Sequence, residues 1–277
     1  MKIGIMAGEF VGKPLSMIFA RAKEYGAEAV ELVLQDNLPL SQVPEVKSLS
    51  KQFDIEVCAI NNRASVLMAD EETKLQEARE IFTESITMAV ELAAPIIVTY
   101  TYSDIMEGAE EQDILDKYAS RLEPFIKRCE KEGITLAIEN EPCGLTQTAR
   151  GVRRLVEYIG SPRVRINYDP DNFYNGGEEG FPYSYEMLKD FIVYVHAKDS
   201  TKYIENLHSP EEQIIHRYID ALCVPIGQGA INWEGLMRRL KADGYDGSIV
   251  IEPHTRPEKM DHTFMAGVQY IKAKLAE

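Results

Sequence analysis

Four apolar runs in the second half of the chain each end in a side chain that can hold a cation or move a proton. They are Ile134-Thr-Leu-Ala-Ile-Glu139, Val164-Arg-Ile-Asn-Tyr-Asp169, Phe191-Ile-Val-Tyr-Val-His196 and Ser248-Ile-Val-Ile-Glu252. Taken singly, a strand-end carboxylate is more often a loop salt bridge or a helix cap, and a lone histidine is usually structural. Brought together, three carboxylates and an imidazole would repel or take up protons unless a cation sat among them. The set therefore points to one divalent metal ion held by Glu139, Asp169, His196 and Glu252. Oxygen and nitrogen donors without thiolate suit manganese, magnesium, cobalt or zinc and do not choose among them.

Side chains two places further on keep the same parity while strand geometry persists, which adds Glu141, Asp171, Lys198 and His254 to the same rim. Asn172, Lys202 and Arg256 follow closely. Glu141, Asn172, Lys198, Lys202, His254 and Arg256 are the expected substrate contacts. The cations among them have an alternative role, which is to neutralise the neighbouring carboxylates. Arg63 is a weaker candidate, and Tyr100, Tyr102, Phe173 and Tyr174 could wall a pocket or simply pack.

Such residues share a site only if parallel strands present their C-terminal ends at one rim. The chain supplies eight strand-like runs, at 2–6, 29–34, 56–61, 95–100, 134–139, 164–169, 191–196 and 248–252, each a near-continuous aliphatic stretch of the kind buried on both faces. Helical patterns alternate with them, at about 16–25, 41–52, 70–92, 110–132, 148–159, 185–189, 232–242 and 262–275. Gly26, Gly133 and Gly160 mark helix ends, and Asp70 and Asn232 are expected N-caps. Segment 170–183 reads as a loop, and 200–230 as a long connection with helical content near 211–222. The expected fold is α/β, a single-domain (β/α)8 TIM barrel over residues 1–277. An open doubly wound sheet is less consistent, because Met6-Ala-Gly-Glu-Phe carries no dinucleotide fingerprint after the first strand.

A chain of 277 residues with 45% hydrophobic content can bury a large core. Its net charge of −15 argues against nucleic acid or anionic membrane as a partner. Four dispersed cysteines without a CxxC pair argue against a zinc-thiolate site. There is no basic, apolar leader and no apolar window of ~18 residues, so the expected location is cytoplasmic. A homo-oligomer is possible, but no residue specifies one.

The segments Leu136-Ala-Ile-Glu139-Asn, Asn167-Tyr-Asp169-Pro-Asp-Asn172, Val193-Tyr-Val-His196-Ala-Lys-Asp199 and Pro225-Ile-Gly-Gln-Gly-Ala-Ile-Asn-Trp233, followed by Gly244-Tyr-Asp-Gly and Ile249-Val-Ile-Glu252-Pro, together resemble the xylose isomerase-like sugar phosphate isomerase/epimerase superfamily. The resemblance is best over 133–254. It implies that the matching Glu, Asp, His and Glu bind one metal, and that Glu139 and Glu252 act as the catalytic pair. It also implies a metal-dependent sugar isomerase or epimerase that moves a proton next to the carbonyl of a polyhydroxylated substrate, such as a ketose, through a metal-stabilised enediolate. Several epimerase relatives carry His three places after the metal-binding Asp where this chain has Asn172, so the resemblance stops short of a particular ketose. Two other readings keep the same site. One is a metal-dependent dehydratase of a sugar acid, inosose or dehydroshikimate; the other is a non-catalytic sugar-binding barrel. An apurinic endonuclease fits poorly, because the third and fourth strands end in Asn61 and Tyr100 where further histidines would be needed and the charge is strongly negative.

Overall fold

The computed structural model describes residues 1–34, 38–62, 65–101, 110–201 and 223–277. Eight parallel strands close on themselves in sequence order, with the first paired to the eighth. They are β1 (Lys2–Met6), β2 (Ala29–Val33), β3 (Glu56–Asn61), β4 (Ile96–Thr99), β5 (Thr135–Glu139), β6 (Val164–Tyr168), β7 (Ile192–Ala197) and β8 (Ser248–Ile251). The expected (β/α)8 barrel is the observed one.

Strand parity divides the core in two. Inside the barrel, Met6, Ala29, Val33, Cys58, Ala59, Val98, Ala137, Tyr194 and Val250 fill the space. Alternate residues such as Ile5, Leu32, Ile138, Ile166, Val195 and Ile251 face outward into the larger core beneath the helices. Both faces are dry, so each strand is a continuous apolar run, and polar side chains survive only where they find partners.

The surrounding helices are α1 (Leu15–Tyr25), α2 (Val43–Phe53), α3 (Glu72–Leu92), α4 (Glu111–Glu132), α5 (Ala149–Ile159), α6 (Pro170–Asn175), α7 (Tyr185–Leu188), α8 (Trp233–Ala242) and α9 (Pro257–Ala276). Gly26, Gly133 and Gly160 take the expected left-handed cap conformation. Asn232 caps α8 by accepting the Gly235 N–H.

Three expectations need correction. Asp70 does not cap α3: that helix begins at Glu72 after Glu71, and Asp70 instead pairs with Lys117 at 2.7 Å on α4. The last helix starts at Pro257, five residues earlier than its apolar spacing suggests, because proline is favourable at a first helical position. Segment 170–183 is not all loop. The Asp169 side chain accepts the N–H groups of Asp171 and Asn172, and with Pro170 at the first helical position it nucleates α6; Gly180–Ser184 form an irregular turn kinked at the extended Phe181. The Asp-Pro pair was a readable start signal. The helical content expected near 211–222 lies outside the described residues. Among the described residues, no helix is long and apolar enough to cross a membrane.

Candidate metal centre and active-site rim

Glu139 closes β5, Asp169 and Glu252 immediately follow β6 and β8, and His196 lies one residue from the end of β7. Their side chains are all buried, and one donor atom from each lies within 4.8 Å of the others. His196 Nδ1 is 3.1 Å from Glu139 Oε2 and 3.2 Å from Glu252 Oε2.

The backbone beneath these residues is held by side chains that carry no chemistry of their own. Asn140 makes two bonds to the main chain of Asp169, donating to its carbonyl and accepting its N–H, each at 2.8 Å. Strand ends β5 and β6 are thus fastened where two candidate ligands emerge. Asn167 donates to Glu139 Oε2 at 2.9 Å, and Asn172 donates to Oε1 at 3.2 Å. Asp169 Oδ1 is taken up by the helix cap.

What remains is a set of buried atoms aimed at one point. Asp169 Oδ2, His196 Nδ1 and Glu252 Oε2 are each buried without a hydrogen bond of acceptable geometry. Charged neighbours stand in for hydrogen bonds there, with Lys198 Nζ 2.9 Å from Asp169 Oδ2 and His196 Nδ1 3.2 Å from Glu252 Oε2. Two carboxylate oxygens and an imidazole nitrogen converging with Glu139 form the donor set that a divalent cation requires, so these residues fit one.

The charges show the same need. With the protein's own groups alone, burial pushes Glu139 up to about 7 against the pull of His196. Burial would also raise Glu252, but His196, His254 and Lys198 hold it well below the usual carboxylate range. For His196, burial opposes the cation, yet Glu139, Glu31 and Glu252 raise it well above an ordinary imidazole. Burial also pushes Asp171 up to about 7 and Glu141 well above the usual range.

The remaining expected contacts fall in different places. Lys198 is buried, with Nζ 2.9 Å from Asp169 Oδ2, 3.5 Å from Glu252 Oε2 and donating to Asn172 Oδ1 at 2.9 Å. In this arrangement it neutralises the carboxylates. His254 lies between Glu9 Oε1 at 2.9 Å and Glu252 Oε1 at 3.3 Å; Glu9, on the turn after β1, was not anticipated. Glu141 is buried just past β5. Arg256 is exposed at the N-cap of α9 and does not line the cavity described next. Lys202, Arg63 and Tyr102 lie outside the described residues.

A cavity of about 250 Å³ adjoins the cluster, lined by Pro142, Asp171, Asn172, Asn175, Lys198, Cys223 and His254. That figure includes space open to solvent, and the enclosed part is only about 10 Å³. Phe173 is packed in the core rather than walling this space.

One buried group at the centre was missed entirely. Glu31, in the middle of β2, is fully buried and its Oε2 lies 2.8 Å from His196 Nε2. The available signal was a single carboxylate inside the otherwise apolar run Ala29-Val-Glu-Leu-Val33.

The family model described as "Xylose isomerase-like TIM barrel" matches residues 19–274. An uncharacterized protein of Methanocaldococcus jannaschii is 24% identical over 260 residues, 91% of this chain and 83% of that protein. Among solved structures, a D-tagatose 3-epimerase-like protein superposes with a TM-score of 0.79 at 21% identity, covering 100% of this chain and 97% of that one. The IOLI protein, solved with a zinc atom bound, superposes with a TM-score of 0.78 at 18% identity, again covering 100% and 97%. At these identities the structural likeness shows the fold.

Proposed function

Because the chain belongs to the xylose isomerase-like TIM barrel family, we propose that it is a divalent-metal-dependent isomerase or epimerase of a small polyhydroxylated carbonyl compound, a ketose or related sugar derivative. The observation that carries this reading is the placement of two buried glutamates. Glu139 enters from β5 and Glu252 from β8, with Asp169 and His196 between them, so two carboxylates flank one cluster. Proton removal on one side and return on the other need that arrangement. The D-tagatose 3-epimerase-like neighbour and the zinc-bearing IOLI protein support the same reading.

Glu139, Asp169, His196 and Glu252 would hold the ion, which when bound supplies positive charge beside the substrate carbonyl. One of the two glutamates takes the proton from the carbon next to that carbonyl, leaving an enediolate. The opposite carboxyl group returns a proton, to the other face in an epimerisation or to the neighbouring carbon in an isomerisation. His254 and Asn172 fix the outer oxygens of the two glutamates, so that each presents a defined oxygen inward. Lys198, which lines the cavity, would orient a substrate hydroxyl.

The test offers ketoses to the manganese-loaded protein in deuterium oxide. Product should carry solvent deuterium at the reacting carbon, and Glu139→Gln or Glu252→Gln should each lower kcat by about 10²- to 10⁴-fold. Product formed without solvent deuterium would sink the scheme. A conjugated enone absorbing in the ultraviolet would show elimination instead.

A further inference from the structure

The half of the barrel that supplies no candidate ligand carries a buried polar chain ending on His196. Glu31 Oε2 meets His196 Nε2 at 2.8 Å, and Glu31 Oε1 accepts from Asn61 Nδ2 at 2.7 Å. Asn61 Nδ2 also hydrogen-bonds the hydroxyl of Tyr100, which follows β4. Glu31, Asn61 and His196 are each 0% exposed. Tyr194 presents its ring to the imidazole at 5.7 Å between centroids and 65° between planes, and its hydroxyl meets Cys58 Sγ at 3.2 Å.

A carboxylate buried this deeply in a barrel is costly unless something uses its charge. Its two oxygens are already divided, one to an amide and one to an imidazole. An anionic oxygen at Nε2 requires a proton there. Nδ1 faces Glu139 at 3.1 Å and Glu252 at 3.2 Å, so it is the nitrogen whose proton a cation held by those carboxylates would replace, while Nε2 keeps its own toward Glu31.

We infer that Glu31 is the positioning residue of the metal centre: it holds His196 in the tautomer and ring orientation that direct Nδ1 at the cation, and Asn61 and Tyr100 hold Glu31. The inference rests on the metal-centre reading above. Glutamine at position 31 can either accept or donate, so it no longer selects one tautomer. Carboxylate partners of ligating histidines act in this way generally, and their loss typically weakens metal binding 10- to 100-fold.

The experiment measures manganese affinity by calorimetry and by the electron paramagnetic resonance of free ion, in the full chain and in Glu31→Gln. The expected result is a dissociation constant raised about 10- to 100-fold, with the far-ultraviolet circular dichroism unchanged. Asn61→Ala keeps the Glu31–His196 pair and should give a smaller loss, so it carries the test if Glu31→Gln fails to fold. In zinc-loaded protein with ¹⁵N-labelled histidine, His196 should show a ligated Nδ1 and a protonated Nε2. Wild-type affinity in both folded variants, with only thermal stability altered, would overturn the inference, as would a ligated Nε2. Failure of the wild-type protein to bind manganese or zinc would overturn the metal-centre reading itself.

Discussion

At the scale of single residues, protons and a cation compete for the same atoms. Glu139 is pushed up to about 7 by burial, and His196 stands well above an ordinary imidazole because three glutamates outweigh its desolvation. Both shifts favour the protonated forms, and a proton on either group must leave when a cation takes its lone pair. The sign follows directly: raising the pH empties the ligands, so apparent metal affinity should increase from about pH 6 to about pH 8. Titration calorimetry in buffers of different ionisation enthalpy should also register proton release. An affinity independent of pH across that window would mean that the ligands are already deprotonated.

At the scale of elements, the site depends on loops held by small, specific contacts. Thr148 accepts the Gly151 N–H at 3.1 Å and starts α5, the helix that returns the chain to β6 and Asp169. A Cβ added at Gly151 would lie 1.8 Å from the Leu145 carbonyl oxygen, a backbone atom that cannot swing aside. Thr148→Ala should therefore cost about 1 kcal/mol, whereas Gly151→Ala should cost about 3 kcal/mol through overpacking. Urea denaturation of the two variants checks both the sizes and their order. After β7, the Asp199 carboxylate accepts the N–H groups of Gly227, Gly229 and Ile231, fastening the turn that leads into α8. Two irregularities in strand register fall beside the site, between Val30 and Glu31 and between Ile166 and Asn167. Such shifts re-aim the side chains next to them.

At the scale of the whole molecule, the charge distribution follows from the same economy of partners. The chain carries a net charge of −15, and among the described residues buried acids gather around His196, Lys198 and His254. A cation bound there should stabilise the folded chain against the unfolded one by mass action. Free manganese at 100 times its dissociation constant should add about 2.7 kcal/mol, which for a chain of this size is a rise of roughly 5 °C in thermal midpoint. Chelator should reverse the rise. A midpoint indifferent to both would show that the carboxylate cluster is satisfied by Lys198 and protons alone.

The sequence by itself pointed to the eight strands, to most of the helices between them and to the four strand-end residues proposed as ligands. Strand parity and apolar runs are local properties, and a charged residue closing an aliphatic run is visible without knowing where that run goes. The α6 start was equally local, in Asp169-Pro170, but a segment rich in glycine and asparagine masked it. What only the tertiary structure decided was partnership. Glu31 and His196 are 165 residues apart in the chain and meet only because the barrel closes and brings facing strands across a dry interior. Closure likewise turned Lys198 inward onto Asp169 and placed Glu9 against His254. Residue type and spacing specify which groups can do chemistry, but the distances that assign their protons exist only in the folded chain.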